Sequence, residues 1–119
     1  MQPFRQLVVW QKAHQLTLAL YKTTGSFPTN ERYGLTSQIR RAAASIGANL
    51  AEGCGRKTRR DFARFAYMAL GSASELEYHL LLAADLDILT ADCYSHMDKA
   101  VTQVKRMLSG LIRKLLTDN

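Results

Sequence analysis

The densest chemistry in the sequence is cationic. Arg56, Lys57, Arg59, Arg60 and Arg64 place five cations within nine residues, in a stretch that begins with Gly53-Cys54-Gly55 and opens a long helical segment. Phosphate suits such a place. The first N–H groups of a helix lack intrahelical partners, the dipole is positive there, and guanidinium forks bind oxygen pairs. Arg40 and Arg41, with Arg32 nearby, lie one helical segment earlier and could extend the surface. The candidate nucleic-acid-binding set is therefore Arg40, Arg41, Arg56, Lys57, Arg59, Arg60 and Arg64. Binding of this kind weakens steeply with salt and shows little sequence preference. The competing reading is that the run is a solvated helix start, or that it pairs with the acidic segment of a neighbouring subunit. The residue types alone leave both open.

Other chemistries find less support. Gly53-Cys54-Gly55 lacks a Walker lysine pattern and the third glycine of a dinucleotide fingerprint, so helix termination is its expected role. Glu75 with His79, and Asp92 with His96, are four apart and share a helix face. The Glu-x-x-His motif that builds paired metal sites in helical bundles is missing, so surface or interface pairs are expected and no metal. Cys54 and Cys93 have no CxxC or Cys/His ligand spacing and read as free thiols. There is no G-x-S-x-G elbow and no sequence-local partner for either thiol. No Arg precedes His14, His79 or His96 by four to six residues, the spacing of some helical ribonucleases. No catalytic residue and no cofactor are expected. Glu52 is expected to make a buried pair with Arg40 or Arg41.

These side chains must be held by a scaffold, and composition limits what it is. The chain has 119 residues, 47% hydrophobic and 22% charged, which is ordinary globular usage and excludes disordered and low-complexity classes. One domain over residues 1–119 is expected, large enough to bury a core without disulfide or metal staples. The net charge of +6 conceals a segregation: residues 1–64 carry +8, residues 65–98 carry −6 with no basic side chain, and residues 99–119 carry +4. A basic block favours anionic partners, and an acidic block favours packing against another copy of the chain. Apolar runs are too short for a membrane span and the start lacks a cleavable signal pattern, so no membrane partner and a cytoplasmic location are expected.

The scaffold reads as four helices. Gly25–Asn30, Gly53–Lys57 and Asp87–Thr90 are the expected loops. Between them run apolar stripes at helical spacing: Val9, Ala13, Leu16 and Leu20; Leu35, Ile39, Ala42, Ile46 and Leu50; Phe62, Phe65, Ala69, Ala73, Leu76, Leu80 and Ala83. The last stripe, Tyr94, Met97, Val101, Val104, Leu108, Leu111 and Leu115, alternates steps of three and four like a heptad. Thr58 with Asp61 signals the start of the third helix, expected over Arg59–Leu86, and Thr90 that of the fourth. Short connections make neighbours antiparallel, which predicts an all-α, up-down-up-down four-helix bundle. Further apolar residues flank the stripes, among them Val8, Leu18, Tyr21, Tyr67, Tyr78 and Leu81, so a homo-oligomer is expected.

Four segments, VWQKA (Val9–Ala13), ERYGLTSQIRRAA (Glu31–Ala43), ANLAEGCGR (Ala48–Arg56) and GSASELE (Gly71–Glu77), give the chain a family resemblance along essentially its whole length. It resembles the small bacterial proteins encoded in intervening sequences of large-subunit ribosomal RNA genes. That resemblance implies an antiparallel four-helix bundle assembled as a ring, typically a pentamer, without established catalysis. More distantly it is similar to the accessory proteins of diversity-generating retroelements, basic pentamers that bind nucleic acid and a reverse transcriptase. Gly47 stands where relatives often have proline, and Cys54 where an aromatic is common. The expectation for function is a non-enzymatic, oligomeric binder of RNA or DNA, the alternative an adaptor for a protein partner whose basic cluster serves assembly.

Overall fold

Four amphipathic stretches account for the architecture. The computed structural model describes residues 2–117, and in it α1 spans Val8–Thr24, α2 Leu35–Cys54, α3 Arg59–Asp85 and α4 Ala91–Thr117. Short 3-10 turns at Phe4–Gln6 and Thr29–Glu31 precede α1 and α2. No strand occurs among the described residues. Two of the helix starts follow the capping signals. Thr58 Oγ1 accepts from the Asp61 N–H at 3.0 Å, and Thr90 Oγ1 from the Cys93 N–H at 3.2 Å.

Cross-helix hydrogen bonds give the topology. Thr17 Oγ1 donates to the Ala43 carbonyl at 3.1 Å and Arg40 Nε to Thr24 Oγ1 at 2.8 Å, so α1 runs against α2. Ser45 and Ser72 hydroxyls meet at 2.9 Å between α2 and α3, and Lys105 Nζ donates to Glu77 Oε1 at 2.8 Å between α3 and α4. Each helix touches its sequence neighbours, and α1 closes the square against α4. The stripes meet inside: Leu20, Ile39, Ile46, Leu50, Leu76, Leu80, Val101 and Leu108 are completely or almost completely enclosed. Alanines on α2 and α3, including Ala43, Ala66, Ala69 and Ala73, are buried without access, which lets these two backbones approach closely.

Two details depart from the sequence reading. In α4 the buried set is Met97, Val101, Val104, Leu108, Ile112 and Leu115, and Leu111 is only half-buried. The observed steps average the 3.6 residues of a straight helix, whereas a heptad repeat drifts by about 20° per seven residues. In α2, Gly53 does not end the helix, which runs on to Cys54; its hydrogen faces α3. A Cβ at Gly53 would lie 2.7 Å from Phe62 Cδ1 and 3.0 Å from Phe65 Cβ, so its role is close approach. The helix does end within this glycine stretch, as expected, with Gly55 as its C-cap; Gly55 is right-handed, and no glycine among the described residues has positive φ. Gly47 lies within an unbroken α2, where a Cβ would come 3.3 Å from the Trp10 indole nitrogen.

Candidate nucleic-acid interface

The bundle is a rod of 49 × 21 × 19 Å, and antiparallel packing converts the charge blocks of the sequence into poles. The first half of α3 lies beside the last half of α4, where Arg59 Nη2 donates to the Lys114 carbonyl at 2.9 Å. The basic end of the first block therefore meets the basic third block. Arg56, Lys57, Arg59, Arg60, Arg64, Arg113 and Lys114 gather at this end with two carboxylates, Glu52 and Asp61, among the described residues. The acidic block folds back at the α3–α4 turn and puts Asp85, Asp87 and Asp92 at the opposite end.

Within the cationic pole the local chemistry is built around Thr58 and Asp61. Thr58 caps α3 and fixes Asp61 in its first turn, where a carboxylate faces the positive end of the helix dipole. Asp61 accepts from Arg56 Nε at 2.8 Å through one oxygen and pairs with Arg64 Nη2 at 3.0 Å through the other. Those hydrogen bonds, Arg56 first and Arg64 second, hold its carboxyl below the usual carboxylate range. Both guanidinium groups also lie over the buried Phe65 ring, at 5.2 Å for Arg56 and 4.7 Å for Arg64. Arg59 closes the last turn of α4 through the Lys114 carbonyl. Lys57 and Arg60 are exposed, and their side chains make no hydrogen bond or ion pair among the described residues.

Beside this cluster an open groove of about 910 Å³ runs between α3 and α4. Arg59, Arg60 and Arg64 line it together with Asp61, Tyr67, Leu115 and Leu116. It has basic and apolar character in one place.

Five of the seven residues expected to bind nucleic acid are thus together, and two are not. Arg40 and Arg41 belong to the other half of α2, about 24 Å from Arg56 along the helix at 1.5 Å per residue. Arg40 donates to Thr24 Oγ1 at 2.8 Å and to the Tyr21 carbonyl at 3.1 Å, and lies over the Tyr21 ring. It therefore closes the end of α1. Arg41 Nη2 donates to Gln38 Oε1 on its own helix. The expected burial of Glu52 against Arg40 or Arg41 is also overturned: Glu52 is exposed and three turns away from both. Arg113 and Lys114 join the pole although neither belongs to the clustered run in the sequence. Their signal was the +4 block, which an antiparallel hairpin must set beside Arg59–Arg64.

The remaining candidates stand apart from this pole. Cys54 and Cys93 are free thiols on α2 and α4, at opposite ends of the rod, and burial pushes the Cys54 thiol above its ordinary pKa. His79 Nε2 and Glu75 Oε2 are 3.3 Å apart, the pair expected from their spacing. Among the described residues no three His, Cys, Asp or Glu side chains gather as a metal site, and no helix is long and apolar enough to cross a membrane.

The geometry defines an all-α four-helix bundle with one strongly cationic end. The family model of the 23S rRNA-intervening sequence proteins matches residues 5–110, and the chain belongs to that family. Among solved structures the chain is similar to a crystal structure of a protein with unknown function, from the S23 ribosomal protein family of Bacteroides thetaiotaomicron. The two share 28% identity and a TM-score of 0.78, over 88% of this chain and 98% of that one. No curated protein sequence matches the chain.

Proposed function

We propose that this is a non-enzymatic, cytoplasmic protein that binds RNA or DNA through phosphate contacts, with little sequence preference, as a ring-like homo-oligomer. One observation carries the reading: antiparallel packing joins two separate basic blocks at one end of the rod, with Lys57 and Arg60 pointing outward from a phosphate-compatible helix start. The names of the family and of the similar structure refer to ribosomal RNA and the ribosome, which favours RNA as the polyanion. Assembly is supported by large apolar side chains left uncovered on the single chain, among them Val8, Leu18, Tyr78 and Leu86. Several copies would multiply a weak phosphate site by effective concentration, and the pentamer implied by the family resemblance fits that use.

The test is fluorescence anisotropy with labelled RNA and DNA oligonucleotides of unrelated sequence. All should bind at low salt, and the double variant Lys57→Glu/Arg60→Glu should lose binding while the sedimentation mass stays that of the parent. Loss of assembly in that variant would instead support the adaptor reading, in which the basic cluster serves contacts between subunits.

A further inference from the structure

We infer that Tyr67 is a base-stacking platform and that the cationic pole therefore selects single-stranded over double-stranded nucleic acid. This rests on the phosphate-binding reading of the pole and adds the substrate class. Tyr67 follows Arg60 by seven residues and Arg64 by three, so the three side chains occupy one face of α3 in successive turns. Tyr67 is 55% exposed although it belongs to the wall of the groove between α3 and α4. It is also shared with a second, smaller groove of about 340 Å³ that contains Arg113. An open aromatic face is thus flanked by Arg60 and Arg64 on one side and by Arg113 on the other. Leu116, 49% exposed, borders both grooves and supplies a second apolar surface.

Charge decides which occupant fits. The cations lining the two grooves are Arg59, Arg60, Arg64 and Arg113, and the carboxylate among the described residues that line them, Asp61, is already paired with Arg56 and Arg64. A polyanion that carries flat apolar groups free to stack matches both features. In single strands each phosphate comes with an unpaired base that can stack on an aromatic ring, and such stacking tolerates any sequence. In a duplex the base faces are already stacked on one another, and only phosphates and edges reach the protein. Arginines alone would serve both forms alike. The exposed ring among them makes the difference.

The experiment compares binding of a labelled oligouridylate and of an RNA duplex of equal length to the full chain and to Tyr67→Ala and Tyr67→Phe. Circular dichroism and sedimentation are recorded on each protein. The parent should prefer the single strand. Tyr67→Ala should weaken single-strand binding roughly ten-fold, within the range of about five- to hundred-fold expected for one lost stacking contact. Duplex binding and the salt slope should not move, and Tyr67→Phe should restore the preference. Equal weakening of both ligands, or no change in either, overturns the inference while leaving phosphate binding in place. A changed sedimentation mass in Tyr67→Ala also overturns it, because the groove would then be a contact between copies of the chain. If the parent binds neither ligand, the phosphate-binding reading itself fails.

Discussion

Both ends of the rod contain arginines, Arg32, Arg40 and Arg41 at one and Arg56, Arg59, Arg60, Arg64 and Arg113 at the other, but they use them differently. At the end formed by the α1–α2 and α3–α4 connections, Arg40 turns inward to Thr24 and the Tyr21 carbonyl, and acidic residues from the α3–α4 turn share the surface. At the other end Asp61 holds Arg56 and Arg64 against Phe65, while Lys57 and Arg60 project from the same turn. Cationic density in a sequence therefore does not mark a binding surface by itself. What distinguishes the ends is whether the carboxylates and carbonyls of the fold reach the cations. At the basic pole Asp61 is a scaffold, orienting two arginines without neutralising the rest.

The largest expected effect tests that asymmetry. Lys57→Glu/Arg60→Glu should weaken nucleic-acid binding by about 100-fold or more at low salt, since two phosphate contacts become repulsions. The corresponding reversal at the opposite end, Arg32→Glu/Arg41→Glu, should change binding little. The near-pole variant should also melt like the parent, because position 57 lies outside α3 and a glutamate at position 60, in its first turn, suits the helix dipole. Equal loss from both variants would erase the distinction between the ends.

Stability changes sharpen it further. Gly53→Ala should destabilise the bundle by about 1–2 kcal/mol, because overpacking against Phe62 and Phe65 exceeds the ~1 kcal/mol gained in helix propensity. Thermal melting checks this, and an unchanged or raised Tm would mean that α3 can shift away at no cost. Arg40→Ala should lower stability by about 1 kcal/mol through its lost bonds at the end of α1. Nucleic-acid binding by that variant should equal the parent's.

A smaller effect concerns Asp61. Its carboxyl is held low by Arg56 and then Arg64, so its contribution to stability is present above the ordinary carboxylate range and lost as pH falls through the lowered value. The difference in melting temperature between the parent and Asp61→Asn should therefore be present at neutral pH and vanish in strong acid. A difference that persists in acid would assign the role of Asp61 to packing instead of charge.

The fold was largely legible from local rules. Glycine-rich breaks and stripes at helical spacing located all four helices, and Thr58 marked the start of α3 to the residue. The misses have physical reasons. A heptad rhythm puts Leu111 in the α4 seam, but a straight helix does not keep that rhythm, and Ile112 occupies the position. Gly53 resembled a helix terminator, because sequence does not show that Phe62 and Phe65 pack across from it. For the site, Arg56 to Arg64 were visible as a cluster, but their division into held and outward cations depends on rotamers around Asp61. Arg40 and Arg41 are near the cluster in sequence, but the rise of α2 separates them from it. Arg113 and Lys114 required the antiparallel pairing of α3 with α4. The acidic block finds Lys105 through Glu77, a residue of the last basic block, while the cluster near α3 is paired by its own Asp61.

The most direct test of the cationic pole as a phosphate-binding surface is the salt dependence of RNA binding by the parent and by Lys57→Gln/Arg60→Gln. The log–log slope should be steep for the parent and shallower by about 1.4 for the variant, roughly 0.7 per lost contact on a single strand. Equal slopes for the two proteins would contradict it.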